Sequence, residues 1–232
     1  MGIIDDKLKK YIDDVQPMKD GILGEIQKNA YERGVPIIPN DVAKLIEFIF
    51  SVTKPKKVLE IGMAIGFSSS LMAQLMGEDG HVTTIDRFDV MIDEAKENFR
   101  KLGNEDKITL IEGDAAKILP TLGEKYDVIF LDAAKGQYIN FLPHCIRLLK
   151  VGGVMITDDI LQNGTVADDI GNIERRQRTI HKRLRTFIEE ITGNPYLTTS
   201  ILTVGDGVAL CRKNGEIPNG YLWKRGHGNE ES

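Results

Sequence analysis

Short apolar runs alternate with longer amphipathic segments through the middle of the chain, and this alternation predicts a layered α/β fold. The run Val58–Ile61 is too short for a helix and rich enough in branched residues for a buried strand. The predicted strands are 56–61, 81–85, 107–111, 126–131 and 153–157, and the predicted helices are 67–76, 88–102, 115–121 and 136–149. This βαβ rhythm predicts a parallel sheet that is covered by helices on both faces.

The two ends of the chain carry different patterns. Helical spacing over Asp5–Val15, Met18–Arg33 and Asp41–Ser51 predicts an N-terminal helical cover (residues 1–52). This cover is a lid on a cofactor or a dimer surface, or it only packs on the sheet. Two late strands, near 197–204 and 207–212, flank the turn signal Gly205–Gly207 and predict a C-terminal antiparallel hairpin. We predict a single domain over residues 1–213 and a flexible, Gly- and charge-rich tail over 214–232.

Composition narrows the functional classes. Of the 232 residues, 41% are hydrophobic and 28% are charged, as is usual for one soluble domain. No run approaches the roughly 20 apolar residues that span a bilayer, and the acidic N-terminal segment lacks the form of a signal peptide. Cys145 and Cys211 lie far apart without a C-x-x-C spacing, which predicts reduced thiols in a cytoplasmic protein. The net charge of −5 argues against nonspecific nucleic-acid binding by the whole surface, although not against a local basic patch.

A glycine-containing loop follows the first predicted strand. Gly62 and Gly66 stand in the spacing E-x-G-x-x-x-G, which begins at Glu60, and a predicted helix follows from Phe67. Glycines let the backbone approach a ligand closely, and a helix N-terminus attracts a negatively charged group. The spacing differs from that of dinucleotide-binding loops and P-loops, so a purely structural turn remains an alternative.

Acidic residues after the next two strands favour a cofactor site. Asp86 closes the second strand about 20 residues after the loop, where a ribose-binding carboxylate belongs in this architecture. Asp114 and Ala115 follow the third strand. These strand ends resemble those of class I S-adenosylmethionine (SAM) methyltransferases, which implies a Rossmann-like, doubly wound, mostly parallel seven-stranded sheet. The resemblance implies that Glu60 and Gly62 contact the methionine part, Asp86 the ribose, and Asp114 and Ala115 the adenine.

A second group of acidic residues follows the fourth and fifth strands. Asp132 comes directly after one, and Asp158 and Asp159 come directly after the other. Because ligands of open α/β sheets bind beyond the carboxyl ends of the strands, we expect these carboxylates to converge. Three close carboxylates need a counter-charge, and Mg²⁺ with oxygen ligands would supply it; helix caps or turns are the alternative. Lys135 is placed to orient or deprotonate a substrate hydroxyl, or is a solvated lysine at a helix start.

Three motifs make the resemblance more specific. They are DAAKGQY at Asp132–Tyr138, DDILQNG at Asp158–Gly164 and VGDG at Val204–Gly207. The chain from about Tyr31 to Lys213 resembles the metal-dependent O-methyltransferases that include the catechol and caffeoyl-CoA enzymes. This resemblance implies that the metal ligands are Asp132, Asp158 and Asp159. It also implies contacts with SAM from Ile38, Gly62, Ser68, Asp86, Asp114, Ala115 and Asp132.

The same resemblance implies a mechanism. Mg²⁺ would chelate two adjacent oxygens of the acceptor and lower the pKa of one hydroxyl. Lys135 would take or stabilise the proton of that hydroxyl. Lys135 and Asp132 are the two predicted catalytic residues. The oxyanion would then attack the SAM methyl group in line. Two positions depart from the family pattern, since Asp159 and Ile188 stand where Asn is more familiar. The additional charge of Asp159 should tighten cation binding and change the polarity of the substrate site.

A cationic run bears on the acceptor. The sequence ERRQRTIHKRLR at Glu174–Arg185, called here the basic segment, holds six cations and one acid. We expect it to bind the phosphates of RNA or of coenzyme A; a solvated helix face is the alternative. The residues predicted to bind RNA are Arg175, Arg176, Arg178, Lys182 and Arg183.

The favoured hypothesis for the acceptor is a tRNA anticodon loop. With VPI at Val35–Ile37, AIGFS at Ala64–Ser68 and DAAKGQYINF at Asp132–Phe141, the chain resembles the bacterial branch that methylates 5-hydroxyuridine at the tRNA wobble position. The O4 and 5-hydroxyl of that base are adjacent and its loop is partly unstacked. The alternatives are a small catechol or a hydroxycinnamoyl-CoA ester, and a SAM-binding module without transferase activity. The N-terminal helices suggest a homodimer.

Overall fold

The structure is a computed structural model of the chain and describes residues 6–224. It contains a seven-stranded, mostly parallel sheet with antiparallel C-terminal strands and N-terminal helices, so the predicted Rossmann-like α/β fold class is confirmed. The described residues fall into two compact units, 6–118 and 119–224. None of the described helices has the length and hydrophobicity that crossing a membrane requires.

The N-terminal unit places three parallel strands among helices. Its strands β1, β2 and β3 lie in the order β3-β2-β1. In the described part of this unit, the strands are β1 Lys57–Ile61, β2 His81–Asp86 and β3 Ile108–Glu112, and the helices are α1 Asp6–Val15, α2 Gly21–Arg33, α3 Asn40–Thr53, α4 Phe67–Leu75, α5 Asp89–Leu102 and α6 Ala115–Ile118.

The core of this unit explains why the short apolar run forms a strand. Val58, Leu59 and Ile61 are almost fully buried, as expected for a strand that is covered on both faces. Helices α2 and α3 pack against α4, so these two N-terminal helices cover the strand–loop–helix segment. The second helix begins at Gly21 rather than at the predicted Met18, because Asp20 before it has an extended backbone conformation.

The C-terminal unit continues the alternation and ends in the predicted hairpin. Its strands lie in the order β4-β5-β7-β6, with β4 and β5 parallel and β7 antiparallel to both of its neighbours. The elements are β4 Tyr126–Leu131, α7 Tyr138–Leu148, β5 Leu149–Thr157, α8 Arg178–Gly193, β6 Leu197–Leu202 and β7 Val208–Lys213. Helix α7 begins two residues later than predicted, because Lys135–Gln137 forms a 3₁₀ turn ahead of it.

The first part of the predicted tail makes side-chain contacts with α8. The hydroxyl of Tyr221 donates a hydrogen bond to Glu190 Oε1 at 3.0 Å, and the backbone N–H of Lys224 donates to Glu190 Oε2 at 3.2 Å. The ring of Tyr221 also contacts those of Tyr196 and Trp223 edge to face. The rest of that tail, residues 225–232, lies outside the described residues.

Candidate active site

The loop between β1 and α4 requires its glycines. Gly62 has a φ of 93° and donates a hydrogen bond from its N–H to the carbonyl of Ile85 in β2, at 2.9 Å. Gly66 has a φ of 75°, and a Cβ at this position would lie 2.5 Å from the ring of Phe99. Both positions therefore exclude larger residues, which explains the spacing of the glycines without requiring a ligand.

Asp86 lies at the end of β2, as predicted, and it fixes this loop. Its Oδ2 accepts hydrogen bonds from the backbone N–H groups of Met63 at 2.9 Å and Ala64 at 3.0 Å. Its Oδ1 accepts from those of Arg87 at 2.6 Å and Phe88 at 3.1 Å. A carboxylate offers about four acceptor positions, so a ribose hydroxyl would have to share or replace one of these bonds.

Glu60 is buried in β1 beneath the loop, inside a group of hydroxyls. Ser68 and Thr84 donate hydrogen bonds to its carboxylate at 2.5 and 2.6 Å, and Ser69 donates a third. Burial raises the pKa of Glu60 to about 7, although the three hydroxyls favour the ionised form and act in the opposite direction, and the charge of Asp86 adds to the increase. Ser68, predicted to contact SAM, thus directs its hydroxyl to Glu60.

The remaining predicted SAM contacts of the N-terminal unit have local roles. Ile38 is buried, and its carbonyl accepts a hydrogen bond from Tyr31 at 3.3 Å. Asp114 Oδ1 accepts the backbone N–H of Ala116 at 2.9 Å and so holds the start of α6, which begins at Ala115. Asp114 and Ala115 follow β3, as predicted, and the contacts of all three residues with SAM stay a prediction.

In the C-terminal unit, the predicted acidic group gathers near one tyrosine. The backbone N–H of Asp158 donates to the carbonyl of Leu131 at 3.1 Å, which joins the ends of β4 and β5. The hydroxyl of Tyr138 donates to the carbonyl of Asp158, also at 3.1 Å. Burial raises the pKa of Tyr138 well above its usual value, and the negative charges of Asp132, Asp159 and Asp158 raise it further. All three carboxylates therefore lie close enough to act on the same phenol.

Lys135 supplies a positive charge to this group. Its Nζ lies 3.1 Å from Asp159 Oδ2 and 3.1 Å from Asp206 Oδ2. Burial alone would lower the pKa of Lys135, but the attractions of Asp159 and Asp206 outweigh it, so the pKa lies above its ordinary value. Lys135 is therefore an ammonium ion at neutral pH, which favours its predicted role in stabilising charge over its predicted role as a proton acceptor.

Asp206 was not singled out by the sequence analysis. It lies in the turn between β6 and β7, within the quoted motif VGDG, where the pattern indicated only a tight turn. The signal that the pattern contained was an acid between two glycines, which is common in turns and does not identify a partner.

The donor chemistry of the acidic group fits a hard cation. Asp132, Asp158 and Asp159 offer carboxylate oxygens, the ligands that Mg²⁺ prefers, and three such charges near one ring call for a counter-ion. As the side chains stand, no group of three or more His, Cys, Asp or Glu residues in the range 6–224 is arranged to hold a metal. Asp158 Oδ1 accepts the N–H of Asp159 at 2.7 Å, and Asp159 contacts Lys135. The metal site stays a prediction.

The basic segment adjoins this acidic group, because α8 packs against the 3₁₀ turn Lys135–Gln137. Arg183 donates to the carbonyl of Gly136 at 3.1 Å, and Arg178 donates to the carbonyl of Ile173 at 2.9 Å. These two guanidinium groups therefore hold parts of the C-terminal unit together. Four further cations of the segment are exposed; they are Arg175, Arg176, Lys182 and Arg185. Of these, Arg176 pairs with Glu174 at 2.7 Å and Arg185 donates to the carbonyl of Asp168 at 3.4 Å.

Known proteins resemble this chain over most of its length. Residues 15–214 match a family model described as O-methyltransferase. A tapetum-specific methyltransferase of Arabidopsis thaliana is 31% identical, over 89% of this chain and 93% of its own. The caffeoyl-CoA O-methyltransferase of Stellaria longipes is 29% identical, over 90% of each chain.

Solved structures show the same likeness. A candidate caffeoyl-CoA O-methyltransferase from Staphylococcus aureus is 35% identical, with a TM-score of 0.83 over 90% of this chain and 100% of its own. A Podospora anserina methyltransferase, solved with bound S-adenosylhomocysteine (SAH), shares the fold at 24% identity, with a TM-score of 0.80 over 92% of this chain and 99% of its own. The chain therefore belongs to the O-methyltransferase family, and it is a SAM-dependent O-methyltransferase.

Proposed function

We propose that this enzyme methylates one of two adjacent oxygens on a catechol-type acceptor, most simply a hydroxycinnamoyl-CoA ester. The carrying observation is that Lys135, which contacts Asp159, lies in the turn against which α8 packs, and this helix carries most of the basic segment. Such a site can hold a polar oxygen pair at one end and phosphates at the other. The relatives support this acceptor class over the tRNA hypothesis, because the Stellaria longipes protein is a caffeoyl-CoA O-methyltransferase.

Asp132, Asp158 and Asp159 would hold the Mg²⁺ ion. A divalent cation bound there would lower the pKa of an acceptor hydroxyl and hold the oxygen pair in place. The carboxylates must rearrange to surround it, because they do not form a metal-holding group as they stand among the described residues.

Lys135 holds negative charge on the acceptor. Its ammonium can donate hydrogen bonds to an ionised acceptor oxygen. These bonds would stabilise the negative charge of that oxygen and hold the oxygen in position. In the transfer itself, the acceptor oxygen forms a bond to the methyl carbon of SAM while the carbon–sulfur bond breaks and SAH leaves. Alignment of the two reactants can contribute roughly 7–11 kcal/mol to such a reaction.

The exposed cations of the basic segment would bind the acceptor's phosphates. Arg175 and Lys182 are exposed and carry full charge at neutral pH, and Arg176 extends the same surface. Coenzyme A presents several phosphate oxygens at one end of an extended chain, and this arrangement suits a few neighbouring cations. Free caffeate lacks these phosphates.

A tRNA acceptor is the second candidate, favoured by the same three exposed cations. The RNA backbone presents phosphates in series, and the 5-hydroxyuridine base offers an adjacent pair of oxygens. The two candidates differ in the salt dependence of binding, because tRNA would release more counter-ions than coenzyme A.

The test compares three acceptors, caffeoyl-CoA, free caffeate and hydroxyuridine-containing tRNA, with the wild type and an Arg175→Glu/Lys182→Glu variant. For caffeoyl-CoA we expect the variant to raise KM about tenfold or more while the kinetics with caffeate stay unchanged. A Lys28→Glu/Lys101→Glu variant changes the net charge equally at exposed positions of the N-terminal unit and is the matched control. Methylation of tRNA alone would transfer the proposal to the second candidate. Unchanged KM values with every acceptor would refute a role of the basic segment in recognition.

A further inference from the structure

The turn between β6 and β7 contacts two parts of the candidate acceptor site through a single residue. Asp206 Oδ2 lies 3.1 Å from Lys135 Nζ, and its Oδ1 accepts the backbone N–H of Asn163 at 2.5 Å. Its carbonyl also accepts the N–H of Leu161 at 2.9 Å. The Asp206 side chain is 17% exposed, and its bond to Lys135 is partly buried, whereas its bond to the Asn163 amide is exposed.

The loop that Asp206 holds is conformationally strained. Asp159, Gln162 and Asn163 all have left-handed backbone conformations, with φ values of 61°, 49° and 54°. Such conformations are unfavourable in residues other than glycine and persist only where surrounding structure enforces them. The loop contains Asp159, so its conformation decides where that carboxylate lies.

The neighbouring glycine supports the same arrangement. The carbonyl of Gly207 accepts the N–H of Ile160 at 3.0 Å. Gly207 has a φ of 90°, and the Leu161 side chain occupies the space that a Cβ would need. The turn and the loop are thus bonded to each other through three loop residues, Ile160, Leu161 and Asn163.

From these contacts we infer that Asp206 is a positioning residue for methyl transfer, which fixes Lys135 and the Asp159–Gly164 loop in one arrangement. Each carboxylate oxygen has a separate task, because Oδ2 pairs with the ammonium and Oδ1 holds the loop. The inference rests on the proposed role of Lys135. It adds a residue to which neither the sequence pattern nor the family resemblance assigned a part in the reaction.

Two substitutions separate the tasks of the carboxylate. In Asp206→Asn the amide oxygen can still accept the N–H of Asn163, but the charge opposite Lys135 is lost. In Asp206→Ala both interactions are lost. Asp169→Asn is the matched control, because Asp169 is an exposed residue of the same unit whose side chain makes no cap hydrogen bond.

The experiment measures turnover and amide hydrogen exchange in the same variants. We expect Asp206→Asn to lower kcat about tenfold or more, with KM for SAM unchanged and with the Asn163 amide still protected from exchange. Asp206→Ala should also lose that protection, whereas Asp169→Asn should match the wild type. If Asp206 acts through Lys135, then Asp206→Asn should have little further effect in a Lys135→Ala background.

The outcomes that oppose the inference differ from those that oppose the proposed function. Equal losses from Asp206→Asn in the wild-type and Lys135→Ala backgrounds would overturn the positioning role and leave the proposed function intact. Wild-type turnover in Lys135→Ala would instead overturn the proposed role of Lys135. An Asn163 amide that stays protected in Asp206→Ala would overturn the part of the inference that concerns the loop.

Discussion

Replacing Glu60 by Gln should change how the stability of the protein depends on pH. The pKa of Glu60 is raised from 4.5 to about 7 in the folded chain, chiefly by burial. The folded state therefore binds a proton more tightly than the unfolded state, and this contribution to stability is fully present below pH 4.5. It is lost as the pH rises towards 7, where the buried carboxyl must ionise.

The magnitude follows from the two pKa values. Their difference of about 2–3 pKa units, at about 1.4 kcal/mol per unit, gives a total of about 3 kcal/mol. Between pH 5 and pH 8 the wild type should lose most of that total, about 2–3 kcal/mol, through Glu60. Gln has no proton to lose at this position, so Glu60→Gln should not show this component of the pH dependence.

Urea unfolding of the ligand-free protein at several pH values from 5 to 8 measures the effect. The difference in unfolding free energy between Glu60→Gln and the wild type should shift in favour of the variant by about 2–3 kcal/mol over this range. Glu25→Gln, at an exposed position on α2, is the control and should run parallel to the wild type. Parallel curves for Glu60→Gln would show that Glu60 is already ionised at pH 5, and the argument from burial would then fail.

Four further substitutions, one of them a control, test other contacts. Thr84→Val removes a hydroxyl that lowers the pKa of Glu60, so the pH-dependent loss of stability should move to higher pH in the same urea series. Gly207→Ala should lower the unfolding free energy by about 2 kcal/mol or more in thermal unfolding, because it adds a Cβ at a φ of 90° where a leucine side chain already lies. Gly164→Ala, at a φ of 82° with open space around it, should cost only about 1 kcal/mol, and equal losses would refute the steric explanation. Lys213→Met should lower the unfolding free energy by about 2–4 kcal/mol in urea unfolding, because the buried ammonium bonds to two backbone carbonyls at 3.0 and 3.1 Å. A loss below about 1 kcal/mol would show that water bonds to those carbonyls in place of the ammonium.

Local causes explain why the fold was predictable. The strand β1 is an apolar run preceded by two lysines, and Gly62 and Gly66 are required by their own positive φ angles of 93° and 75°. The bounds were less predictable, because they depend on longer-range contacts. The turn at Lys135–Gln137 replaces the first helical residues where α8 packs on it and Arg183 binds its carbonyl.

The basic segment shows the limit of reasoning from charge. Counting cations predicted that Arg178 and Arg183 bind phosphate, yet both donate to backbone carbonyls of their own unit. A guanidinium serves either purpose equally well, and the sequence does not reveal which acceptor lies within reach. Arg175, Arg176 and Lys182 remain the better candidates because they are exposed and, within residues 6–224, their side chains make no such bond to a backbone carbonyl.

The acid at position 159 illustrates how one departure from a family pattern depends on a distant residue. The sequence suggested that the additional charge of Asp159 would tighten cation binding. In the structure that carboxylate contacts Lys135, which Asp206 also holds from a turn 71 positions further along the chain. The charge of Asp159 therefore acts first on the ammonium, and two carboxylates keep Lys135 protonated where one would do so less strongly. A lysine held in this way is suited to stabilising an oxyanion rather than to removing a proton. Because Asp159 and Asp206 act on the same ammonium, the departure at position 159 and the turn at position 206 have to be considered together.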